Sequence, residues 1–288
     1  MAVRRRRGGR LRGGAWILVA ALAGAWAPAL AASRDCPDGV VESLRTSEAF
    51  GEWPEFERPV NFVAQACRLW PYDPERLLVA AAYSTGESVV GNRDLHIRVS
   101  MLDARSHRFI AGYGRRERED AGFELSGDAL ALDTARYQLS PTVRAFGLVV
   151  RNSARGPSCP DAWWNEELTL LVRDGEALRP VLSTPLWAWE RVEGEPCAPQ
   201  MYGGFADDSA RLLVGVEPTS SSGFADLRVI ADVERQVEAW SDDGREDSSV
   251  SRRRRSVVLR YDGTRYDQGP LQNGFFWSEA EWRTEHGD

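Results

Sequence analysis

Few of the residues that usually perform chemistry are present in this chain. It holds 36 basic residues, every one an arginine, and three histidines, His96, His107 and His286. The absence of lysine excludes the phosphate-loop lysine, the Schiff base and the Ser-x-x-Lys pair, each of which needs a primary amine. Arginine does not substitute, because its planar guanidinium keeps its charge and serves to grip carboxylates. A Ser-His-Asp site would have to recruit His96 or His107. His96 stands between Leu95 and Ile97, where strand alternation turns it to the opposite and wetter face, and His107 falls in a hairpin turn, so both read as surface residues. Gly86-Glu87-Ser88 and Ser222-Gly223 lack the Gly-x-Ser-x-Gly frame of a nucleophile elbow.

Paired carboxylates remain, the apparatus of glycoside hydrolysis. With 43 acidic residues, pairs are unavoidable, so only those beside aromatics carry weight: Asp161, Glu166, Glu167 and Glu190. Trp163-Trp164 and Trp187-x-Trp189 flank them, and indole faces stack on sugar rings. Trp187 and Trp189 share one strand face and read as core. Trp163 and Trp164 read equally as core or as an exposed site, and they are the candidate ligand-binding residues. No catalytic residue is assigned. A calcium loop needs spaced oxygen ligands and a closing glutamate, which Asp242-Asp243-Gly244-x-Glu246-Asp247 lacks. Four-cysteine zinc sites need Cys-x-x-Cys pairs, and the chain has none. Neither a metal nor a cofactor is expected.

The four cysteines, Cys36, Cys67, Cys159 and Cys197, are better read as two disulfides in an oxidising compartment. Of the three pairings, Cys36 with Cys67 and Cys159 with Cys197 join sequence neighbours and avoid long crossings. The N-terminus agrees with export. Residues 1–14 are basic, residues 15–27 are apolar, Pro28 breaks the helix, and Ala29-Leu30-Ala31 supplies small residues for cleavage between Ala31 and Ala32 or one residue later. Residues 1–31 are therefore expected to be a signal peptide, leaving a periplasmic protein with no membrane attachment. Those residues hold six arginines and no acid, so the remainder carries 30 basic against 43 acidic side chains. So acidic a surface argues against nucleic acid and anionic lipid as partners.

The elements that must position any site are mainly strands. Residues 32–58 form an N-terminal helical segment, with Val40, Val41, Leu44 and Ala49 at near-helical spacing. From Pro59 to residue 270 the pattern alternates apolar and polar residues between turns. Arg76-Leu77-Leu78-Val79 recurs as Arg211-Leu212-Leu213-Val214, which points to repeated units at about 76–113, 129–190 and 211–267. Asp174-Gly175 and Asp262-Gly263 are hairpin signals in the second and third units. The fold class expected is all-β and mainly antiparallel: three- to four-strand meanders packed as a distorted sandwich or propeller-like array, with a short N-terminal helix. Residues 241–256 are polar and aperiodic and read as an exposed loop, whose arginines 252–255 open a strand and can be neutralised by Asp242, Asp243, Glu246 and Asp247. Residues 271–288 form a C-terminal tail in which Phe275, Phe276, Trp277 and Trp282 clasp the body.

Several blocks resemble a family of uncharacterised exported proteobacterial proteins over roughly residues 36–268. They are Leu132-Asp133-Thr134-Ala135-Arg136-Tyr137, Arg144-Ala145-Phe146-Gly147, Leu168-Thr169-Leu170 with Leu178-Arg179-Pro180-Val181-Leu182, and Arg260-Tyr261-Asp262-Gly263-x-Arg265-Tyr266. The resemblance implies a bacterial, periplasmic setting and no activity. Compartment, charge and the missing catalytic groups together predict a binding protein without catalysis. One version is an inhibitor or immunity-type protein whose partner is another periplasmic protein, since opposite charge speeds encounter with a basic target. The alternative is a carbohydrate-binding or carbohydrate-active envelope protein using Trp163 and Trp164.

Overall fold

The computed structural model describes residues 36–46, 59–85, 89–197, 203–240, 246–272 and 276–277. The expected signal peptide and its cleavage point at Ala31 and Ala32 lie outside these residues. Helix α1 (Val40–Thr46) is followed by β1 (Pro59–Trp70), β2 (Asp73–Thr85), β3 (Asp94–Asp103) and β4 (Phe109–Arg118). Then come β5 (Leu130–Asp133), β6 (Phe146–Arg151), β7 (Ala162–Asp174), β8 (Ala177–Glu193), β9 (Gly204–Ser221), β10 (Phe224–Trp240), β11 (Glu246–Leu259) and the short α2 (Gly269–Gln272).

The eleven strands form one mixed sheet that does not close. Consecutive strands pair antiparallel from β1 to β4 and again from β5 to β11. A single parallel pair, Gly112 with Ala177, joins the two runs. Strand β8 is the branch point: β7 lies along one edge, while β4 touches its first residue and β9 takes over from Trp187. Strand β5 returns beside β1, where Arg68 Nη1 donates to the Leu132 carbonyl at 3.2 Å, but no ladder links them among the described residues.

Alternation along the strands builds three cores. Leu78, Ala80 and Ala82 of β2 face a core shared with Ile97, Val99 and Met101 of β3 and with Leu130, Phe146 and Leu148 of β5 and β6. The intervening Leu77 and Val79 face the other way, onto Val40 and Leu44 of α1. The two helix residues are four apart, so they share one helical face. Leu168, Leu170 and Val172 of β7 belong to a third core with Leu212, Leu227, Val229 and Leu259. The β6–β7 layer is thus buried on both sides, and each fully buried leucine in it contributes about 1.5–3 kcal/mol of transfer free energy. Gly147 has to be small for this layer to form. A Cβ there would lie 2.4 Å from Leu168 Cδ1 and 3.1 Å from Asp133 Cβ.

Both expected disulfides are present, Cys36 with Cys67 and Cys159 with Cys197. The first ties the start of the helical segment to β1. Asp174-Gly175 turns β7 into β8, with Gly175 at φ 63°. Asp262-Gly263 differs from expectation. The chain has already left the sheet at Leu259, and only one bridge, Tyr261 with Tyr266, closes that turn. The sharp turn of the third unit is Ser222-Gly223 between β9 and β10, both at positive φ.

Of the exposed loop expected at 241–256, residues 241–245 lie outside the described residues, and residues 246–256 belong instead to β11, which runs unbroken along β10 from the pair Trp240–Glu246 to Leu227–Leu259 and carries the arginine run in a strand. Its aperiodic polar sequence hid it, because this strand is matched to its neighbours by charge. Arg252 pairs with Glu234, Arg254 with Asp232 and Arg253 with Asp208, across the sheet; of the local acids expected to neutralise them, Asp242 and Asp243 lie outside the described residues. Of the expected aromatic clasp, Phe276 and Trp277 pack on the third core, with Trp277 buried. Phe275 and Trp282 lie outside the described residues.

Candidate functional site

Beyond the pair Gly112–Ala177, strand β4 has β3 as its only ladder partner among the described residues, and a cleft of about 490 Å³ opens between β4 and β7. Arg115 and Glu117 line it from β4; Trp163, Trp164, Asn165 and Glu167 line it from β7. Val150 and Phe123, both packed into the first core, also border it. Tyr113, Arg115 and Glu117 stand at alternate positions of β4, so one strand face continues from the core into the cleft and changes from apolar to charged on the way.

Arg115 is the bridge across the opening. Its Nη1 donates to Glu167 Oε1, and its Nε lies 3.3 Å from Glu117 Oε1. Burial raises the Glu117 carboxyl above the ordinary glutamate range; the Arg115 charge opposes this and the Glu167 charge adds to it. Burial alone would lower the Arg115 guanidinium, but Glu167 and Glu117 outweigh it and hold it above its ordinary value. The same burial raises the Tyr113 phenol.

The two tryptophans take different places. Trp164 is 57% exposed at the cleft, while Trp163 is half-buried. The Trp163 ring lies against Gly156, where a Cβ would stand 3.1 Å from Cζ3 and the φ is +81°. Only glycine adopts that conformation without strain, so the loop can lie flat on the indole. The loop continues to Cys159, anchored by its disulfide. On the other side of the cleft, the buried Glu119 holds the chain in place. It accepts from Arg93 Nε at 2.7 Å, Arg93 Nη2 at 2.5 Å, Gly91 N at 2.9 Å and Leu125 N at 2.9 Å. Burial by itself would raise its carboxyl, but these hydrogen bonds and the Arg93 charge prevail and lower it. Asp120, Gly122 and Phe123, which follow directly, line the cleft.

The four carboxylates singled out from the sequence do not converge. Glu167 is in the cleft, Glu166 pairs with Arg151 at 3.1 Å, Asp161 is exposed, and Glu190 is buried. Trp187 and Trp189 share a face as expected, but it is not the core face. Ala188 and Glu190 are the buried positions of that stretch, and the two indoles are half-buried on the opposite side. Trp187 helps line a second groove of about 600 Å³ with Arg211, Asp232, Glu234, Arg252 and Arg254. His107 is exposed in the β3–β4 turn at φ 56°, and His96 is half-buried in β3; neither borders either groove. Sequence reasoning missed Arg115, Glu117 and Phe123. The signal for the first two was an arginine and a glutamate at a two-residue period following Tyr113.

Among the described residues there is no cluster of three or more His, Cys, Asp or Glu fit to hold a metal, and no helix is long and apolar enough to cross a membrane. No family model, curated protein or solved structure matches the chain.

Proposed function

We propose that the protein binds a saccharide in the β4–β7 cleft without cleaving it, in the periplasm of a proteobacterium, exported by its N-terminal segment. The observation that carries this reading is the exposed Trp164 beside a cleft centred on Glu117, Arg115 and Glu167. Indole faces stack on sugar rings, while guanidinium donors and carboxylate acceptors match hydroxyl groups. The bridging guanidinium also argues for binding over hydrolysis. Glycosidases present two carboxyl groups across an open gap, whereas here Arg115 occupies the space between the two. Two disulfides fit an oxidising compartment. The meanders ending at β4, β8 and β11 fit copies of one unit, with the shared Arg-Leu-Leu-Val string in β2 and in β9.

The test is tryptophan fluorescence during titration with peptidoglycan fragments and neutral oligosaccharides. A saturable change is expected, and it should disappear in Trp164→Ala while the unfolding midpoint is retained. No change with any glycan, or an identical titration in Trp164→Ala, would refute the reading.

A second reading, a protein partner blocked or masked by this chain, is favoured by the open face of β8–β11. There the cross-strand rows Trp187, Arg211, Asp232, Arg254 and Trp189, Ser209, Glu234, Arg252 set tryptophan and arginine side by side. Those two residue types dominate protein interfaces. Here Trp187→Ala, and not Trp164→Ala, should abolish association with the partner.

A further inference from the structure

Among the described residues the strand order ends at β1, β5 and β11, and these three terminal strands are not alike. Strand β1 has three register shifts and lies beside β5, and β5 is only four residues long. Bulges and shortness are the usual guards against edge pairing. Strand β11 has neither. It is 14 residues long, pairs with β10 without a single register shift, and carries no partner on its other edge among the described residues. Val250, near its middle, is 59% exposed.

We propose that this edge pairs antiparallel with β11 of a second copy of the chain, forming a two-fold dimer with one continuous sheet. A two-fold axis perpendicular to a sheet keeps each residue on its own face, so one residue must meet its own copy at the centre. With Val250 on the axis, Ser249 faces Ser251, Ser248 faces Arg252, Asp247 faces Arg253, and position 246, a glutamate, faces Arg254. The exposed apolar residue meets itself, and the acidic start of the strand meets the basic second half. A parallel arrangement would instead set the arginine runs side by side, and like charges directly opposite are destabilising. The side chains of Arg252 and Arg254 are 79% and 68% exposed, so both can take a second acceptor beyond Glu234 and Asp232. Edge pairing supplies backbone hydrogen bonds along the whole overlap, and the side-chain pairs fix the register.

The test uses the protein as purified from its host. Light scattering during size-exclusion chromatography should show a concentration-dependent dimer. Asp247→Arg places two arginines opposite each other and should weaken the dimer on the order of tenfold. Register is read by single cysteines, since the described residues include no free cysteine. Under oxidised glutathione, Val250→Cys should cross-link to its own copy, and Ser248→Cys, several residues from its own copy, should not. Both side chains are exposed in β11, and circular dichroism is the check that each variant folds. A monomer at every concentration, a dimer indifferent to Asp247→Arg, or equal cross-linking of the two cysteine variants would overturn the proposal.

Discussion

Replacing Glu119 by glutamine keeps the shape of the side chain and removes one acceptor and the charge. In the native arrangement Oε2 takes Gly91 N and Arg93 Nε, and Oε1 takes Arg93 Nη2 and Leu125 N. Whichever way the amide is placed, its NH₂ points at two or more donors, and the Arg93 guanidinium, 12% exposed, loses its counter-charge. Two buried donors without acceptors cost about 1–3 kcal/mol each, and breaking a buried ion pair from one side costs about 3–5 kcal/mol. These are two views of the same loss, so the expected destabilisation is about 3–5 kcal/mol, or a fall in Tm of roughly 6–20 °C for a protein of this size. Urea unfolding with the disulfides intact measures it. Glu119 titrates below the ordinary glutamate value in the folded state, so its contribution is present in full above the ordinary carboxylate range and is lost as pH falls through the folded value. The gap between wild type and Glu119→Gln should therefore narrow on acidification. The exposed pair Arg118–Asp94 serves as control, and Asp94→Asn should leave stability unchanged. A loss below about 1 kcal/mol in Glu119→Gln, or a gap that widens at low pH, would show that the hydrogen bonds around Glu119 do not hold the cleft wall.

Asp208 is the acceptor for Arg235 at 2.8 and 3.0 Å and for Arg253 at 2.5 Å, with its own side chain fully buried. Asp208→Ala leaves two partly buried arginines facing each other and should cost about 3–5 kcal/mol in urea unfolding. Replacing Cys159 and Cys197 together by serine opens a loop of 38 residues and should cost about 4 kcal/mol by the chain-entropy model. The same double variant should weaken any saccharide titration, because the loop resting on Trp163 loses its anchor, while the pair Cys36–Cys67 still forms in a non-reducing peptide map.

What the sequence disclosed follows from which forces leave a local mark. Alternation in β3 and β7, the continuous apolar run of β2 and the Asp174-Gly175 turn are local, so the all-β class and several strand positions were readable. Cysteine spacing was enough for the disulfides because each pair closes a short loop. The branch at β8 left no mark, since one parallel pair, Gly112 with Ala177, is the ladder link between the two runs among the described residues. The cleft exists because of that branch, which is why Trp164 was readable as a candidate and its partners Arg115 and Glu117 were not. The block from Asp133 to Gly147, so distinctive in the sequence, proves to be architectural. Tyr137 donates to Asp133 Oδ2 at 2.6 Å, Phe146 fills the first core, Arg144 stacks over Tyr72 at 3.6 Å, and Gly147 makes room for Leu168.

The lysine-free composition takes on a physical meaning in β8–β11. Arg191 binds Asp207 while its guanidinium lies 4.6 Å from the Phe205 ring centroid. Arg235 and Arg254 each hold a carboxylate through two nitrogens. Bidentate grip and ring stacking both require a planar fork, which an ammonium group does not have. Lysine in these places would keep the charge and lose the geometry that registers β11 on β10. The exposed members of this ladder add little to stability, because solvent screens them. Their larger effect is on specificity. A strand with almost no apolar alternation is held in register by matched charges on one side, and its free edge shows the same charge pattern to whatever approaches.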